Sequence, residues 1–430
     1  MIAVPLDRGS LIARYCETRA FTETLAAPLS AEDQCAQSMP DASPVKWHRA
    51  HTTWFFEEFV LLPNADKYRR VHADSAYLFN SYYDAIGRRH PRAERGLQTR
   101  PSCGEVAAYR AQVDGALVDL LRDADADAYR SIAELVVLGL NHEQQHQELV
   151  LMDVKHLFSR NEFDPAYRRG RAAPTGSAAP AVDWLEFEGG LVNVGHAQLA
   201  GCGFSFDNEG PRHAVLLSPF RLADRLVTSG EWRAFIADGG YQRPDLWLSD
   251  GWYAAQQAQW HAPLYWELDG DCYTTLTLDG RRRVRDSEPV VHVSHFEADA
   301  YARWAGARLP TEFEWESAAA RVAIEGNLLP PTSTDAATLH PAATGEGAPG
   351  LRQMFGDVWE WTSSAYLPYP RFAPAEGAVG EYNGKFMSGQ MVLRGGSAVT
   401  PTGHVRSTYR NFFYPHQRWA FSGLRLAADA

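Results

Sequence analysis

Two histidines four residues apart, His142 and His146 in the run NHEQQHQELVLMDVKH, carry the sharpest chemical signal in the chain. On an α-helix, residues i and i+4 share a face, so both imidazoles can reach one metal ion. With Glu143 between them they spell HExxH, the pattern in which the glutamate is the general base of a zinc protease. A zinc protease normally draws its third ligand from downstream. Here the best third candidate lies upstream, His51 in SPVKWHRAHTTWFFEEFVLL. Three neutral imidazoles on one side of a metal leave coordination positions open. That suits Fe(II) binding both O2 and a substrate atom, although imidazole equally suits zinc, copper and nickel. The plain alternative is a pair of helical histidines that bind nothing.

Three further groupings could serve such a centre. Tyr82 and Tyr83, in LFNSYYDAIGRRH, offer phenols that could give a proton or an electron to a bound oxygen species; otherwise they are ordinary core or surface tyrosines. Arg88, Arg89, Arg92, Arg95 and Arg100 form a basic cluster in an acidic chain, able to hold a carboxylate by paired hydrogen bonds or simply to face solvent. Near the C-terminus, Asn411 stands among Tyr409, Arg410, Phe412, Phe413 and Tyr414, followed by Arg418 and Trp419. A polar amide beside aromatic faces could grip an imidazole and a quaternary ammonium. A strand end with core aromatics would look the same.

The elements that must position these residues are partly legible. Ser43 and Pro44 read as a helix start, after which Trp47, His51, Trp54, Phe55 and Glu58 recur at spacings of three and four. A second helix is expected from about Cys103 to Asp123, and a third from an N-cap at Asp127 to about Phe158. With the segment around Tyr82 these would make a small antiparallel bundle over residues 1–167. Residues 168–181, RRGRAAPTGSAAPA, lack periodicity and read as a linker. Residues 182–430 carry short strand-like runs (LVNVG, AVLLSPFRLA, MVLRGGS, SGLRLA). Helical pieces are expected near 229–238, near 296–304 and within RLPTEFEWESAAAR. That pattern predicts an irregular α+β domain.

A chain of 430 residues exceeds one core, which agrees with two domains. Its 13 Trp and 18 Tyr supply aromatics for a loop-rich fold or a pocket. A formal charge of −12 argues against nucleic acid and anionic membranes as partners. No apolar run reaches the ~18–20 residues of a membrane span, and the start of the chain has no apolar signal core, so a cytoplasmic location is expected. Cys16, Cys35, Cys103, Cys202 and Cys272 are scattered, with no CxxC pair, and read as reduced thiols.

Taken together, SPVKWHRAHTTWFFE, YLFNSYYDAIGRRHPRAERGL and NHEQQHQELVLMDVKH resemble the iron-binding DinB-like four-helix bundle of the ergothioneine sulfoxide synthases and selenoneine synthases. VTSGEWRAFI, RLPTEFEWESAAAR, GDVWEWTSSAY, VLRGGS and SGLRL are similar to their second domain, an α+β formylglycine-generating-enzyme fold related to C-type lectins. The resemblance spans nearly the whole chain. It implies His51, His142 and His146 as Fe(II) ligands, O2 as co-substrate, and Tyr82 and Tyr83 at the active site. It also implies Gln145, Asn411, Phe412, Phe413 and Trp419 around hercynine, the trimethylated histidine acceptor. By analogy with the second fold, a structural Ca2+ near Asp357 and Glu360 is a further option. Cysteine-using relatives often read MCNQ and GGSC where this chain has Met387-Ser388-Gly389-Gln390 and Gly395-Gly396-Ser397-Ala398, and RGLL where it has Arg95-Gly96-Leu97-Gln98. The smaller Gly389 and Ala398 tilt the expected donor towards a selenosugar, with cysteine or another thiol as the alternative. A metal-dependent thiol transferase and a lectin-like binding protein are the rivals from other classes.

Overall fold

The structure, a computed structural model, describes residues 7–168, 179–199, 203–335, 337–345, 350–376 and 378–430. Most of the expected linker, and Cys202, lie outside the described residues. Cys16, Cys35, Cys103 and Cys272 are free thiols.

Four long helices in mutual contact build the N-terminal bundle: α1 (Arg8–Ala26), α2 (Val45–Phe56), α3 (Cys103–Asp123) and α4 (Ala126–Phe158). Three of them start on a side-chain cap. The Asp7 carboxylate accepts from Ser10 N at α1, Ser102 and Glu105 close a capping box at α3, and the Asp125 carboxylate accepts from two backbone N–H groups at α4. The fourth bundle helix is therefore α1. The segment around Tyr82 contributes only a short helix, Ser75–Phe79, and a 3-10 turn, Asp84–Ile86. α1 escapes a hydrophobic-period reading because its buried face carries Thr18, Arg19 and Thr22 between Leu11, Tyr15, Phe21 and Leu25. Two helix starts also move. Asp125, not Asp127, caps α4. Pro44 occupies the N-cap of α2 without a side-chain bond, while the Ser43 hydroxyl accepts from Arg95.

A buried ionic knot holds the bundle. Glu143 on α4 accepts from Arg19 (2.7 Å) and Thr22 (2.6 Å) of α1 and from Arg110 (2.7 Å) of α3. Arg19 also reaches Asp114, and Arg110 reaches Glu23. Burial alone would raise the Glu143 carboxyl, but Arg110 and Arg19 outweigh it and hold the group at about 2.

The second domain is mixed. A four-stranded sheet contains β1 (Trp359–Ala365), β2 (Met391–Arg394), β3 (Asn411–Phe413) and β4 (Ser422–Gly423) in the order β3-β2-β1-β4. β3 is an edge strand, with Asn411 opposite Leu393 and Phe412 opposite Val392. The three helices expected from sequence form as Ser229–Ala237, His295–Trp304 and Glu312–Ala319. Each opens with a capping box: Thr228/Glu231, Ser294/Glu297 and Thr311/Glu314. A three-stranded sheet over Trp266–Asp269, Cys272–Thr277 and Gly280–Arg283 is additional to the expected elements.

The two domains share apolar packing. At 33 residues α4 spans ~50 Å. Its far half places Val150, Leu151, Val154 and Phe158, with Phe21 and Leu25 of α1, in one cluster with Leu226, Val291, Leu329, Val358, Val399 and Phe421. Glu148 of α4 accepts from Trp359 and Thr400 of the second domain, and burial raises its carboxyl to about 7.

Glu143→Gln leaves two buried guanidinium groups without their shared anion. Removing one partner of a buried ion pair typically costs ~3–5 kcal/mol. The expected outcome is a large fall in the denaturant midpoint of the metal-free protein, measured by circular dichroism.

Candidate metal centre

His51 of α2 and His142 and His146 of α4 converge in the interior. Each offers one imidazole nitrogen, and these atoms lie within 4.8 Å of one another, the one such metal-binding group among the described residues. The rings are 0%, 2% and 9% exposed, which excludes a solvated face as the explanation of the motif. The Nε2 atoms of His51 and His142 stand 3.2 Å apart, a spacing suited to two nitrogens sharing one ion. Burial holds all three imidazoles neutral: His142 falls to about 3, and His51 and His146 lie well below the ordinary histidine range. Neutral imidazole is the form that binds a metal. The His51 Nδ1–H donates to Phe79 O at 2.6 Å, which turns its Nε2 inward. His146 Nδ1 meets His48 Nδ1 at 2.7 Å. His142 Nδ1 is buried without a hydrogen-bond partner. The donor set and its orientation fit a non-haem metal ion.

Glu143 does not face this centre. Its carboxylate is consumed by Arg19, Arg110 and Thr22 on the other side of α4, so the protease reading of HExxH is excluded.

The second domain supplies a wall. Tyr382 lies edge-on to His142, ring centroids 5.4 Å apart, and stacks on Phe206 at 5.4 Å. Its hydroxyl donates to Gln145 Oε1, and Gln145 Nε2 donates to the Tyr409 hydroxyl at 2.6 Å. Both ends of the Gln145 amide are thus engaged by phenols. Tyr82 and Tyr83 pack against each other at 4.7 Å, and Tyr82 also meets Tyr382 and Phe386. Tyr83 is fully buried and its hydroxyl makes no hydrogen bond of normal geometry. Burial, then Tyr82 and Tyr382, push its pKa well above the phenol range. The three rings are held together by Glu381, which accepts from Asp84 N (2.9 Å) and Ala85 N (2.8 Å), and by Lys385, which donates to Tyr82 O.

The other sequence candidates fall in several places. Phe412 stacks on Tyr366 at 4.1 Å and faces Phe386 at 5.9 Å, while the Asn411 side-chain amide oxygen, Oδ1, accepts from Phe412 N at 2.9 Å. Phe413 packs against Trp419, whose indole N–H donates to Asp153 on α4 at 3.1 Å. Arg95 is 3% exposed, stacks 3.4 Å over Trp47 and donates to Ser43 and Ser81. Arg100 donates to the adjacent Thr99 O at the surface. Asp357 accepts from Asn327, Gln353 and Ala342 N, and Glu360 pairs with the Arg425 guanidinium. Both carboxylates are engaged by donors of the protein itself.

The sequence reading missed Tyr382, Phe206, His48 and Asp153. Tyr382 and Phe206 stand in aperiodic segments and carry no local signal. His48 could have been found, because it lies three residues before His51 on the same helix.

A buried three-imidazole centre on a helical bundle, walled by tyrosines of a second domain, defines a class of two-domain non-haem metal proteins. Residues 14–150 match the DinB superfamily, and residues 172–342 and 329–430 match the sulfatase-modifying factor enzyme 1-like domain. The chain is 36% identical to the hercynine oxygenase of Mycolicibacterium thermoresistibile, over 100% of this chain and 96% of that protein. It is also 36% identical to the hercynine oxygenase of Mycobacterium tuberculosis, over 92% of this chain and 93% of that protein. A formylglycine-generating enzyme of Streptomyces coelicolor is 29% identical over 57% of this chain and 89% of that protein. The chain belongs to the hercynine oxygenase family.

His51→Ala, His142→Ala and His146→Ala each should lose most of the bound metal while keeping the helical content. Elemental analysis beside circular dichroism checks this. Full metal content in any one variant would remove that residue from the ligand set.

Proposed function

We propose that this chain is an Fe(II)- and O2-dependent enzyme that forms a carbon–chalcogen bond at the imidazole carbon of hercynine. The observation that carries the reading is the juxtaposition of three neutral imidazoles with an aromatic wall from the second domain. Iron, when bound, would bring O2 and the donor together and pass electrons between them. Bond formation removes one hydrogen from hercynine carbon and one from the donor. Oxygenation of the chalcogen uses one oxygen atom, and the other leaves as water with the two hydrogens.

The chain's own residues divide the remaining work. Tyr366, Phe386 and Phe412, with the partly buried Asp207 nearby, present aromatic faces and a carboxylate suited to a trimethylammonium group. Asn411, on the same edge strand as Phe412, would hold the hercynine imidazole or carboxylate through its side-chain N–H groups. Tyr83, Tyr82 and Tyr382 remain protonated at neutral pH, because burial raises each of them, so a phenolic proton is available beside the centre. Gln145 fixes the direction of the Tyr382 hydroxyl.

For the donor we favour a selenosugar over cysteine. In support, most of the arginine cluster that could have clamped a carboxylate is engaged elsewhere. Arg88 lies over Tyr77, Arg89 pairs with Asp84, Arg92 donates to Asp41 O, and Arg100 folds onto Thr99, whereas Arg95, stacked on Trp47, keeps a buried Nε without a partner. The size argument at Gly389 is weaker. A Cβ there would meet only Tyr414, at 3.8 Å, and φ of +70° already accounts for the glycine.

Two outcomes are expected. Tyr83→Phe or Tyr382→Phe should lower turnover by ~10²–10⁴, the range for loss of a general acid, with hercynine KM nearly unchanged. In a competition at equal concentrations with hercynine, iron and O2, mass spectrometry should find selenosugar-derived product in excess. Exclusive use of cysteine would replace the donor and leave the iron reaction intact. Absence of hercynine-dependent O2 uptake would remove the whole reading.

A further inference from the structure

The three histidines are backed in three different ways. His51 donates to a backbone carbonyl and His142 has no partner on Nδ1. His146 alone leads into a chain of side chains. His146 Nδ1 lies 2.7 Å from His48 Nδ1, and His48 Nε2 lies 3.0 Å from Asp153 Oδ2. Asp153 also accepts from Ser43 N at 2.8 Å and from the Trp419 indole at 3.1 Å.

Hydrogen-bond directions along this chain have one solution. A metal-bound His146 presents a bare Nε2, so its proton sits on Nδ1 and is donated to His48. His48 Nδ1 must then accept, which puts the His48 proton on Nε2 and points it at Asp153. The carboxylate receives three N–H donors and gives none. His48 and Asp153 are 2% and 6% exposed, so water does not substitute for either. The spacing follows from the helices. Asp153 stands seven residues after His146 on α4, two turns along one face, and His48 stands three residues before His51 on α2. A ligand imidazole whose outer N–H is directed towards an anion is a stronger and better-oriented donor.

We infer that His48 and Asp153 are positioning residues that make His146 the most electron-rich ligand of the three, and that Trp419 lets the second domain complete this arrangement. The inference rests on the Fe(II) reading above. Trp419 is the residue that joins the two halves, because its N–H is the single side-chain donor to Asp153 from the second domain among the described residues.

The test measures anaerobic Fe(II) affinity by chelator competition and the Fe(III)/Fe(II) midpoint potential, in wild type, Asp153→Asn and Trp419→Phe. Asp153→Asn keeps the shape and removes the charge. It should weaken Fe(II) binding by ~10–100-fold and raise the potential. Trp419→Phe leaves the helices untouched and should shift both quantities in the same direction by less. If Asp153→Asn does not fold, Trp419→Phe decides by itself. Wild-type affinity and potential in the folded variants would overturn the inference. If the wild type binds zinc and not Fe(II), the iron reading falls, and the same variants compared by zinc affinity decide whether the relay acts on His146.

Discussion

The rotation of one helix decides where everything else points. Glu143, caught between Arg19 and Arg110, pins α4 about its own axis. With that residue turned to α1 and α3, His142 and His146 must turn to α2, Gln145 to the second domain, and Gln147 to the Thr18 and Thr22 side. A slip of one residue along α4 would rotate its side chains by ~100° and scatter the ligand set. The ion pair sits beside the centre without touching it. It also explains how the letters of a protease motif occur in a protein where the glutamate has no access to the metal.

The centre is buried, and that sets the character of its groups. Burial keeps the three imidazoles neutral and the neighbouring phenols protonated, so the site holds bases and acids that do not neutralise one another. The second domain closes this interior. Tyr382, Phe206 and Tyr409 enter from that side, and the shared apolar cluster around Val150, Val154, Val358 and Phe421 keeps the two domains in register.

Legibility in the sequence followed distance along the chain. The i,i+4 histidines, the helical pieces of the second domain and the helix over Cys103–Asp123 are local patterns, and each reads from a short run of adjacent letters. α1 was opaque because polar residues serve a buried ionic knot, and periodicity of hydrophobic residues cannot register those. Tyr382 was invisible for a different reason. Its importance comes from a contact with a residue 237 positions away, Gln145, and nothing in EYNGKF marks it. Trp419 was legible as an aromatic of consequence, yet its indole is directed to Asp153, a direction no pattern of neighbours encodes.

The edge position of β3 carries a consequence for how such a protein changes over time. Asn411, Phe412 and Phe413 hydrogen-bond to one neighbouring strand only, and the segment holding Tyr382 and Phe386 is built of 3-10 turns. These segments lie outside the helical bundle, whereas the metal ligands sit on two helices whose buried faces tolerate almost no substitution. Drift in the loops can therefore alter which molecules are accepted without rebuilding the oxidising centre, so one ancestral catalyst can give rise to lineages with different diets.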